Sequence, residues 1–436
     1  MARSLYHLAS ASQLDDAIDV LLSEALLVLE RLVSEPSTIG NERGAQEVVK
    51  DVFAGAGFAP RWLEIDDSIA DDAAAGIPLR SYAGRADLVM ERDVVGTGRH
   101  LLINGHIDVV PAEDAAQWTS PPFAPVRRDG WLHGRGAGDM KGGFAMTALA
   151  IAALDQSMPG WQTGPLTILA AIEEECTGNG TLAAVRSGLA PDAVLLPEPT
   201  DLKLLLGGIG ILWFDLEIEG QAGHAESADR VVNPIDVAFR LVEGLHAWER
   251  SLNDANDDPA FAAGTQPYNL NIGRFHAGDW SSSVPAVARL GCRLGFPRAW
   301  SPDRAEEELR AALDRLAKGD PWLREHPPVA TFRGFRAKGH AIAPDDPLTQ
   351  ALAAAHEDAH GVAPDSVILG TTTDARIHLI EGNTPAISYG PRTRNIHGVD
   401  EAVEIASIAA GARTVARFLR SFYADPPEAQ SAEPNA

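Results

Sequence analysis

The chain is poor in cysteine, in positive charge and in long hydrophobic runs. Its 436 residues include two cysteines, Cys176 and Cys292, too few for a disulfide framework and typical of a reducing compartment. Lys and Arg number 36 against 61 Asp and Glu, which gives a net charge of −25. A nucleic acid or an anionic membrane requires a basic footprint that this balance does not supply. No window reaches the roughly 18 apolar residues that span a bilayer, and the N-terminus lacks the pattern of a secretory signal. These absences predict a cytoplasmic protein that binds neither nucleic acid nor a membrane.

The distribution of apolar residues predicts an α/β fold. Strand-like segments such as "ADLVMER", "HLLINGHIDVV" and "LTILAAI" alternate with segments of helical periodicity in the first 209 residues. This alternation indicates a central, mostly parallel or mixed sheet flanked by helices. From residue 210 to 338 the order becomes β-α-β-β-α-β, and the first pattern then returns over 339–424. We therefore expect an α+β module inserted into a discontinuous α/β domain, followed by a disordered Pro-, Ala- and Glu-rich tail over 425–436.

Acidic residues and histidines concentrate where predicted strands end. Three consecutive glutamates at 173–175 follow the apolar segment "LTILAAI". In "INGHIDVV", His106 and Asp108 are expected on one face of a strand, where a carboxylate can hold the second ring nitrogen of a ligand histidine. Asp139 lies in a glycine-rich turn, Glu198 between two prolines, and His397 before the final helix. Each of these is ordinary alone, since an Asp in such a turn is usually a turn former. Together, two His and three carboxylates suit a pair of zinc or related divalent ions.

The motifs that carry these residues occur in a characteristic order. They are "GHIDVVP", "QWTSPPF", "GRGAGDMKGG", "EEECTGNGT", "PEPT", "GQAGHA", "NP" and "IHGVDE". In this order, from about residue 15 to 420, the sequence resembles the M20 family of metallopeptidases and deacylases. That family includes acetylornithine deacetylase, succinyl-diaminopimelate desuccinylase, aminoacylase and carboxypeptidases. The resemblance implies that the inserted module is a lid and dimerisation domain, and that the two flanking segments form the catalytic domain.

The resemblance also implies two divalent cations per chain, with Zn²⁺ as the first expectation and Co²⁺ or Mn²⁺ as alternatives. The ligands of one cation would be His106, Asp139 and Glu198, and those of the other Asp139, Glu175 and His397. Asp139 would thus bridge the pair.

Three further residues have implied roles in the reaction. Glu174 would be the general base and acid, and Asp108 would orient His106. His224, in "GQAGHA", would reach the active site of a partner subunit and stabilise the developing oxyanion. The resemblance therefore also implies a homodimer.

Basic residues near these motifs are candidates for binding an anionic substrate end. Many members of the family carry an Arg ten residues after the "VP" proline of the module. Here that position is Gly295, and Arg293 lies two residues earlier. An equally weighted alternative is that the arginines near the motifs only offset the ligand carboxylates. The candidate substrate-binding residues are Asn271, Arg293, Arg376, Arg392 and Arg394.

These expectations combine into an amidohydrolase that cleaves an N-acyl amino acid, of the deacetylase or desuccinylase type, by attack of a metal-bridging hydroxide. A metallo-carboxypeptidase or dipeptidase, or a hydrolase of an unusual amide, carbamoyl or aromatic amine substrate, is the alternative within enzymes. A non-catalytic binding homologue is a remote third reading. It would be expected to have lost Glu174 or a ligand, and all are present.

Overall fold

The computed structural model describes residues 2–93, 98–262 and 264–424. The predicted disordered tail at 425–436 lies outside these residues. Within the described part of the chain, none of the helices combines the length and the apolar character needed to cross a membrane.

The elements follow the alternation that the sequence predicts. The helices are α1 (Ala2–Ser34), α2 (Arg43–Gly55), α3 (Gly142–Ser157), α4 (Asn179–Arg186), α5 (Pro234–Asp254), α6 (Pro302–Gly319), α7 (Pro347–His360), α8 (Ala375–Ile380) and α9 (Ile405–Ala424). The strands in the first half are β1 (Ala59–Glu64), β2 (Ala86–Arg92), β3 (Leu101–His106), β4 (Val126–Arg128), β5 (Trp131–His133), β6 (Leu166–Ala171), β7 (Ala193–Leu196), β8 (Leu204–Gly208) and β9 (Gly210–Glu219). Those in the second half are β10 (Gly223–His224), β11 (Leu270–Ala277), β12 (Ser283–Val284), β13 (Val287–Phe296), β14 (Val329–Ala337), β15 (His340–Ala341), β16 (Ser366–Leu369), β17 (Ala386–Ser388), β18 (Thr393–Arg394) and β19 (Ala402–Glu404).

A nine-stranded mixed sheet forms the centre of the larger unit. Its order is β1-β2-β6-β3-β7-β17-β8-β15, with β16 also paired to β8. The four strands β6, β3, β7 and β17 are mutually parallel, whereas β1 and β2 add antiparallel pairs at one side. The predicted mixed α/β fold is therefore confirmed.

The central strands are buried on both faces, as expected for parallel strands covered by helices. One face carries Ile103 and Ile168, which share a core with residues of α1, α3 and α9. Leu102 and Leu169 point to the opposite face, where they pack with residues of α4 and α8. This alternation explains why the strand sequences read as continuous apolar runs.

A four-stranded antiparallel sheet forms the core of the second unit. Its order is β11-β13-β9-β14, and its own hydrophobic core includes residues of α5 and α6. Along the chain the elements run β9, α5, β11, β13, α6, β14, which is the predicted β-α-β-β-α-β order. Asn233 and Ser301 cap α5 and α6, each followed by a proline in the first turn. The exact domain boundaries stay a prediction of the sequence.

The topology explains where chemistry can concentrate. The parallel neighbours β6, β3 and β7 end at the same edge of the large sheet. His106 closes β3, residues 173–175 follow β6, and Glu198 follows β7. Ligand sites of open α/β sheets lie at the carboxyl ends of such strands. A small antiparallel sheet of β4, β5, β19 and β18 carries the loop with His397.

Candidate metal centre and catalytic site

The structure brings the five predicted metal ligands to one place. His106 Nε2 lies 3.1 Å from Asp139 Oδ1 and 3.8 Å from Glu198 Oε2. His397 Nε2 lies 3.4 Å from Asp139 Oδ2 and 3.0 Å from Glu175 Oε2. Asp139 therefore sits between the two histidines with one carboxylate oxygen toward each.

Ligand atoms of His106, Asp139 and Glu175 all lie within 4.8 Å of one another. This trio draws on both predicted ligand sets, which is expected if the two sets share Asp139 and lie side by side. Imidazole nitrogens and carboxylate oxygens suit zinc and neighbouring divalent ions. The assignment of each ligand to a particular cation stays a prediction.

The electrostatics of the cluster also fit bound cations. Burial raises the pKa of Glu198 to about 8, and burial likewise raises the pKa of Glu174 well above its usual range. The charge of Glu175 raises the pKa of His397 to about 11. Without a cation, the buried carboxylates of the cluster are therefore neutralised either by binding protons or by pairing with a protonated histidine. Divalent cations would favour the ionised carboxylates and the neutral imidazoles that metal ligation requires.

Glu174 faces the cluster beside His106. Its Oε2 lies 4.0 Å from His106 Nε2, and the side chain is buried. Its backbone N–H donates to Asp108 Oδ1 at 3.2 Å, and that of Glu175 donates to Asp108 Oδ2 at 3.1 Å. The Asp108 carboxylate thus holds the turn from which both glutamates project.

Asp108 contacts His106 differently from the sequence expectation. The expected strand through "INGHIDVV" ends at His106, so the alternation argument does not apply to Asp108. The ring Nδ1 is 2.9 Å from the Asp108 carbonyl oxygen but 3.8 Å from Oδ1. The backbone turns after the strand and directs this carbonyl at the ring, which leaves the carboxylate for the two N–H groups.

Glu173 is separated from its two neighbours by a turn of the backbone. It has φ +63°, and its carboxylate points away from the cluster. It accepts hydrogen bonds from Tyr82 Oη at 2.5 Å, Arg85 Nη1 at 2.5 Å and Thr177 Oγ1 at 2.8 Å. Because β6 ends at Ala171, strand alternation does not govern the three glutamates. Glu173 anchors the turn within the protein interior.

Sequence reasoning missed a buried ion pair beside the cluster. Glu401 Oε2 is 2.5 Å from Arg135 Nη1, and both side chains are almost fully buried. Glu401 also accepts from the backbone N–H of Asp139, and Arg135 donates to the carbonyl oxygen of His397. Arg135 lies in the motif "GRGAGDMKGG" and Glu401 in "IHGVDE". Their positions in motifs that also contain metal-ligand candidates could have marked them as supporting residues.

Arg293 and Asn271 lie on the second sheet. Arg293, on β13, donates to Asn269 Oδ1 at 2.6 Å and to the Gly370 carbonyl oxygen at 3.1 Å. It therefore spans from the inserted unit to a loop of the larger one. Asn271 is exposed on the neighbouring strand β11 and pairs in register with Arg293.

The other three arginines have structural partners. Arg376 is buried, and its Nη2 donates to the Thr177 carbonyl oxygen at 2.8 Å. Arg394 lies 4.3 Å over the ring of Trp131. Arg392 lines a different cavity of about 670 Å³ between α7, α9 and β18, whose lining includes none of the predicted metal ligands. The structure does not bring Arg392 to the cluster.

His224 lies on the inserted unit. It is exposed on the short strand β10 of the inserted unit, and its Nδ1 accepts from the Glu226 N–H at 3.2 Å. Its predicted role therefore depends on a second subunit.

Solved structures share the fold. The dipeptidase Dug1p from Saccharomyces cerevisiae superposes with a TM-score of 0.76 at 16% identity, covering 95% of this chain and 99% of that one. The M20 family metallo-carboxypeptidase Sso-CP2 from Sulfolobus solfataricus has a TM-score of 0.70 at 18% identity, with coverage of 92% and 100%. The dinuclear metal-binding peptidase YXEP of the M20 family from Bacillus subtilis has a TM-score of 0.55 at 13% identity, with coverage of 93% and 99%.

Sequence relatives are similar over almost the whole chain. The succinyl-diaminopimelate desuccinylase of Methylobacterium sp. (strain 4-46) is 31% identical over 420 residues, covering 93% of this chain and 98% of the relative. That of Methylocella silvestris is 30% identical over 410 residues, with coverage of 92% and 98%. The model of peptidase family M20/M25/M40 matches residues 102–421, which hold all five residues of the cluster. The chain belongs to this family of hydrolases.

Proposed function

We propose that the protein is a dinuclear metal amidohydrolase that releases the acyl group of an N-acyl amino acid. The observation that carries the proposal is the position of Asp139 between His106 and His397, with Glu174 facing the same space. The whole-chain similarity to two succinyl-diaminopimelate desuccinylases supports an N-succinyl amino acid as the first substrate to test.

His106, Asp139 and Glu198 would hold one cation, and Asp139, Glu175 and His397 the other. When bound, a pair of Zn²⁺, Co²⁺ or Mn²⁺ ions would acidify a water molecule and polarise the amide carbonyl group. The donor atoms match this chemistry, and Zn²⁺ is the first choice for a mixed imidazole and carboxylate set.

Glu174 would move the proton in this reaction. Its buried carboxylate can accept a proton from the attacking water and return it to the nitrogen of the leaving amine. Burial disfavours the charged form and raises its pKa, while bound cations would lower it again. Asp108 would support this step by holding the backbone N–H groups of Glu174 and Glu175.

The inserted unit would contribute to substrate binding and to dimer formation. Arg293, whose Nη2 reaches the Gly370 carbonyl oxygen of the larger unit, would receive a substrate carboxylate. Asn271 lies beside it on β11. Arg376 and Arg394 would act mainly through the backbone and aromatic contacts described above.

A homodimer through the inserted unit is supported by an apolar edge. Phe239 of α5 is 63% exposed, and its ring stacks 6.0 Å from that of Phe275 on the edge strand β11. Such an edge can pair with its own copy across a two-fold axis. His224 would then complete the partner's site.

The free, buried cysteines Cys176 and Cys292 fit a reducing, cytoplasmic location.

The test joins metal content to amine release. The purified protein would be assayed against N-succinyl, N-acetyl and N-formyl amino acids and dipeptides, alongside Glu174→Gln and, as a matched control, Glu64→Gln at the exposed end of β1. We expect two cations per chain in all three proteins. We also expect a loss of roughly 10²–10⁴-fold in kcat for Glu174→Gln alone.

Three outcomes would contradict the proposal. Absence of metal under metal-replete conditions would remove its basis. Turnover by Glu174→Gln at the wild-type rate would show that another group carries the proton. Hydrolysis of dipeptides without hydrolysis of acyl amino acids would favour the peptidase alternative.

A further inference from the structure

We propose that the Arg135–Glu401 ion pair is a positioning device of the metal centre. It holds the backbone of Asp139 against the backbone of His397, and the affinity for the cation beside His397 depends on it. This inference rests on the proposed dinuclear function.

Glu401 fixes the turn that presents Asp139. Its Oε1 accepts hydrogen bonds from the backbone N–H of Gly138 at 2.9 Å and of Asp139 at 3.0 Å. The turn begins at Gly136, which has φ +79°, a conformation that side chains other than glycine rarely adopt. Because two consecutive N–H groups converge on one oxygen, the carboxylate determines the direction in which Asp139 leaves the turn.

Arg135 fixes the loop that presents His397. Its Nη1 is 2.5 Å from Glu401 Oε2, and its Nη2 donates to the carbonyl oxygens of His397 at 3.2 Å and Pro111 at 3.3 Å. The guanidinium carbon lies 5.2 Å from the ring centre of Trp118. One planar group therefore joins the Glu401 carboxylate to the His397 backbone.

The His397 loop needs such an anchor. His397 has φ +63°, and its side chain is 50% exposed, so packing alone restrains it little. A second tie joins the loop to the body, where Asp400 accepts from the N–H and hydroxyl of Thr119 at 2.8 and 2.7 Å. Arg135 acts closer to the ligand, on the His397 carbonyl oxygen itself.

The geometry distinguishes arginine from lysine at this position. A guanidinium reaches several acceptors in one plane, whereas an ammonium group is a compact point charge. Residues that orient metal ligands typically change metal affinity by 10–100-fold when replaced. In Glu401→Gln the amide oxygen can still accept from Gly138 and Asp139, but its NH₂ group then faces the guanidinium of Arg135. That variant breaks the ion pair while it preserves the capping of the turn.

A buried arginine elsewhere supplies a matched control. Arg417 of α9 is 5% exposed and contacts Asp15 at 2.8 and 2.9 Å and Asp358 at 3.0 Å. It resembles Arg135 in burial and in its number of partners, but it lies away from the metal ligands. Arg417→Lys should therefore show how much stability is lost when a buried arginine away from the metal ligands is replaced by lysine.

The experiment titrates the full-length, metal-stripped protein with Co²⁺. Wild type, Arg135→Lys, Glu401→Gln and Arg417→Lys would be compared by bound metal per chain, by the visible spectrum at each equivalent, and by the melting temperature of the metal-free form. We expect one cation to bind the two pair variants nearly as in wild type. The second should bind about 10–100-fold more weakly, with an altered spectrum for the second equivalent. Arg417→Lys should bind both cations as wild type does, even if its melting temperature falls.

Three results would overturn the proposal. Wild-type affinity for both cations in Arg135→Lys and Glu401→Gln would refute it and leave the proposed function intact. Loss of folded structure in both metal-free variants would show that the pair serves the fold and not the site. Failure of the wild-type protein to bind metal would remove the proposed function together with this inference.

Discussion

The absence of a side chain at Gly143 allows α3 to lie close to the segment that carries Glu198. At Gly143, in the first turn of α3, an added Cβ would lie 2.0 Å from the carbonyl oxygen of Pro197. Pro197 immediately precedes Glu198, and the contacting atom belongs to the backbone. A methyl group there requires the helix or the strand end to move, and the predicted ligand Glu198 would move with it.

Gly143→Ala is therefore expected to destabilise the metal-free protein by about 1–3 kcal/mol and to weaken metal binding. The matched control is Gly55→Ala at the end of α2, where an added Cβ meets no atom within 4 Å. That substitution should be neutral or stabilising by up to about 1 kcal/mol. Chemical denaturation and metal titration of both variants would check this. Equal stability of the two variants would show that the backbone near Pro197 adapts at no cost.

Pairs of elements are joined by buried polar chains as well as by apolar contacts. His356 on α7 and Thr414 on α9 are linked through the Tyr389 hydroxyl. That hydroxyl donates to Thr414 Oγ1 at 2.9 Å, so the His356 Nδ1–H donates to the Tyr389 oxygen at 2.8 Å. Burial lowers the pKa of His356 to about 4, and the charge of His360 acts in the same direction. A protonated ring would keep this donor, but it would place a charge in a buried site beside His360, so the folded protein favours the neutral ring.

Stability should depend on pH through this ring. The unfolded chain binds a proton at His356 near pH 6.5 and the folded protein near pH 4, so the contribution is complete above pH 6.5 and falls as the pH drops toward 4. His356→Gln should consequently lower the free energy of unfolding more at pH 7.5 than at pH 5, by on the order of 1 kcal/mol. Urea unfolding of the metal-free protein at both pH values would measure it. Tyr389→Phe removes the same hydrogen bond but keeps the imidazole. The free energy of unfolding that this variant loses should therefore change little between the two pH values.

At the scale of the whole molecule, the proposed role of His224 requires a second chain. His224 lies on the inserted unit without a contact to the cluster among the described residues, and Phe239 and Phe275 form an exposed apolar edge on that same unit. A dimer about this edge would bury the two rings and bring each His224 to the other subunit. Oligomeric state and activity would then be coupled.

Phe239→Glu is expected to shift the protein from dimer to monomer and to lower kcat. Val329→Glu, at an exposed apolar residue on β14 at the other edge of the same sheet, should leave both unchanged. Light scattering after gel filtration and amine release would report the two properties. Subunit exchange gives a further check, because a mixed dimer of Glu174→Gln and His224→Ala chains contains one complete site, and random mixing should restore roughly a quarter of wild-type activity. No recovery on mixing, with exchange demonstrated, would contradict the role of His224.

Much of this organisation follows from the sequence because residue type and order suffice for it. His and carboxylates suit the proposed cations, and "GHID", "GDMKGG", "EEE", "PEPT" and "IHG" hold them at the ends of recognisable elements. The β-α-β-β-α-β order of the second unit likewise follows from local periodicity and from the Asn233 and Ser301 caps. Such features depend on neighbours along the chain.

The tertiary structure decided the orientations and the supporting contacts. Strand β3 ends at His106, although the apolar run in the sequence continues to Val110. Asp108 therefore lies beyond the strand, where its carboxylate accepts from the backbone N–H of Glu174 and its carbonyl oxygen contacts the ring of His106. Arg392 belongs to another cavity although it lies five residues before His397. Arg135 and Glu401 meet across 266 residues of chain. Periodicity and motif spacing describe residues that are near in sequence, whereas these contacts arise only when distant segments pack and buried polar groups must find partners.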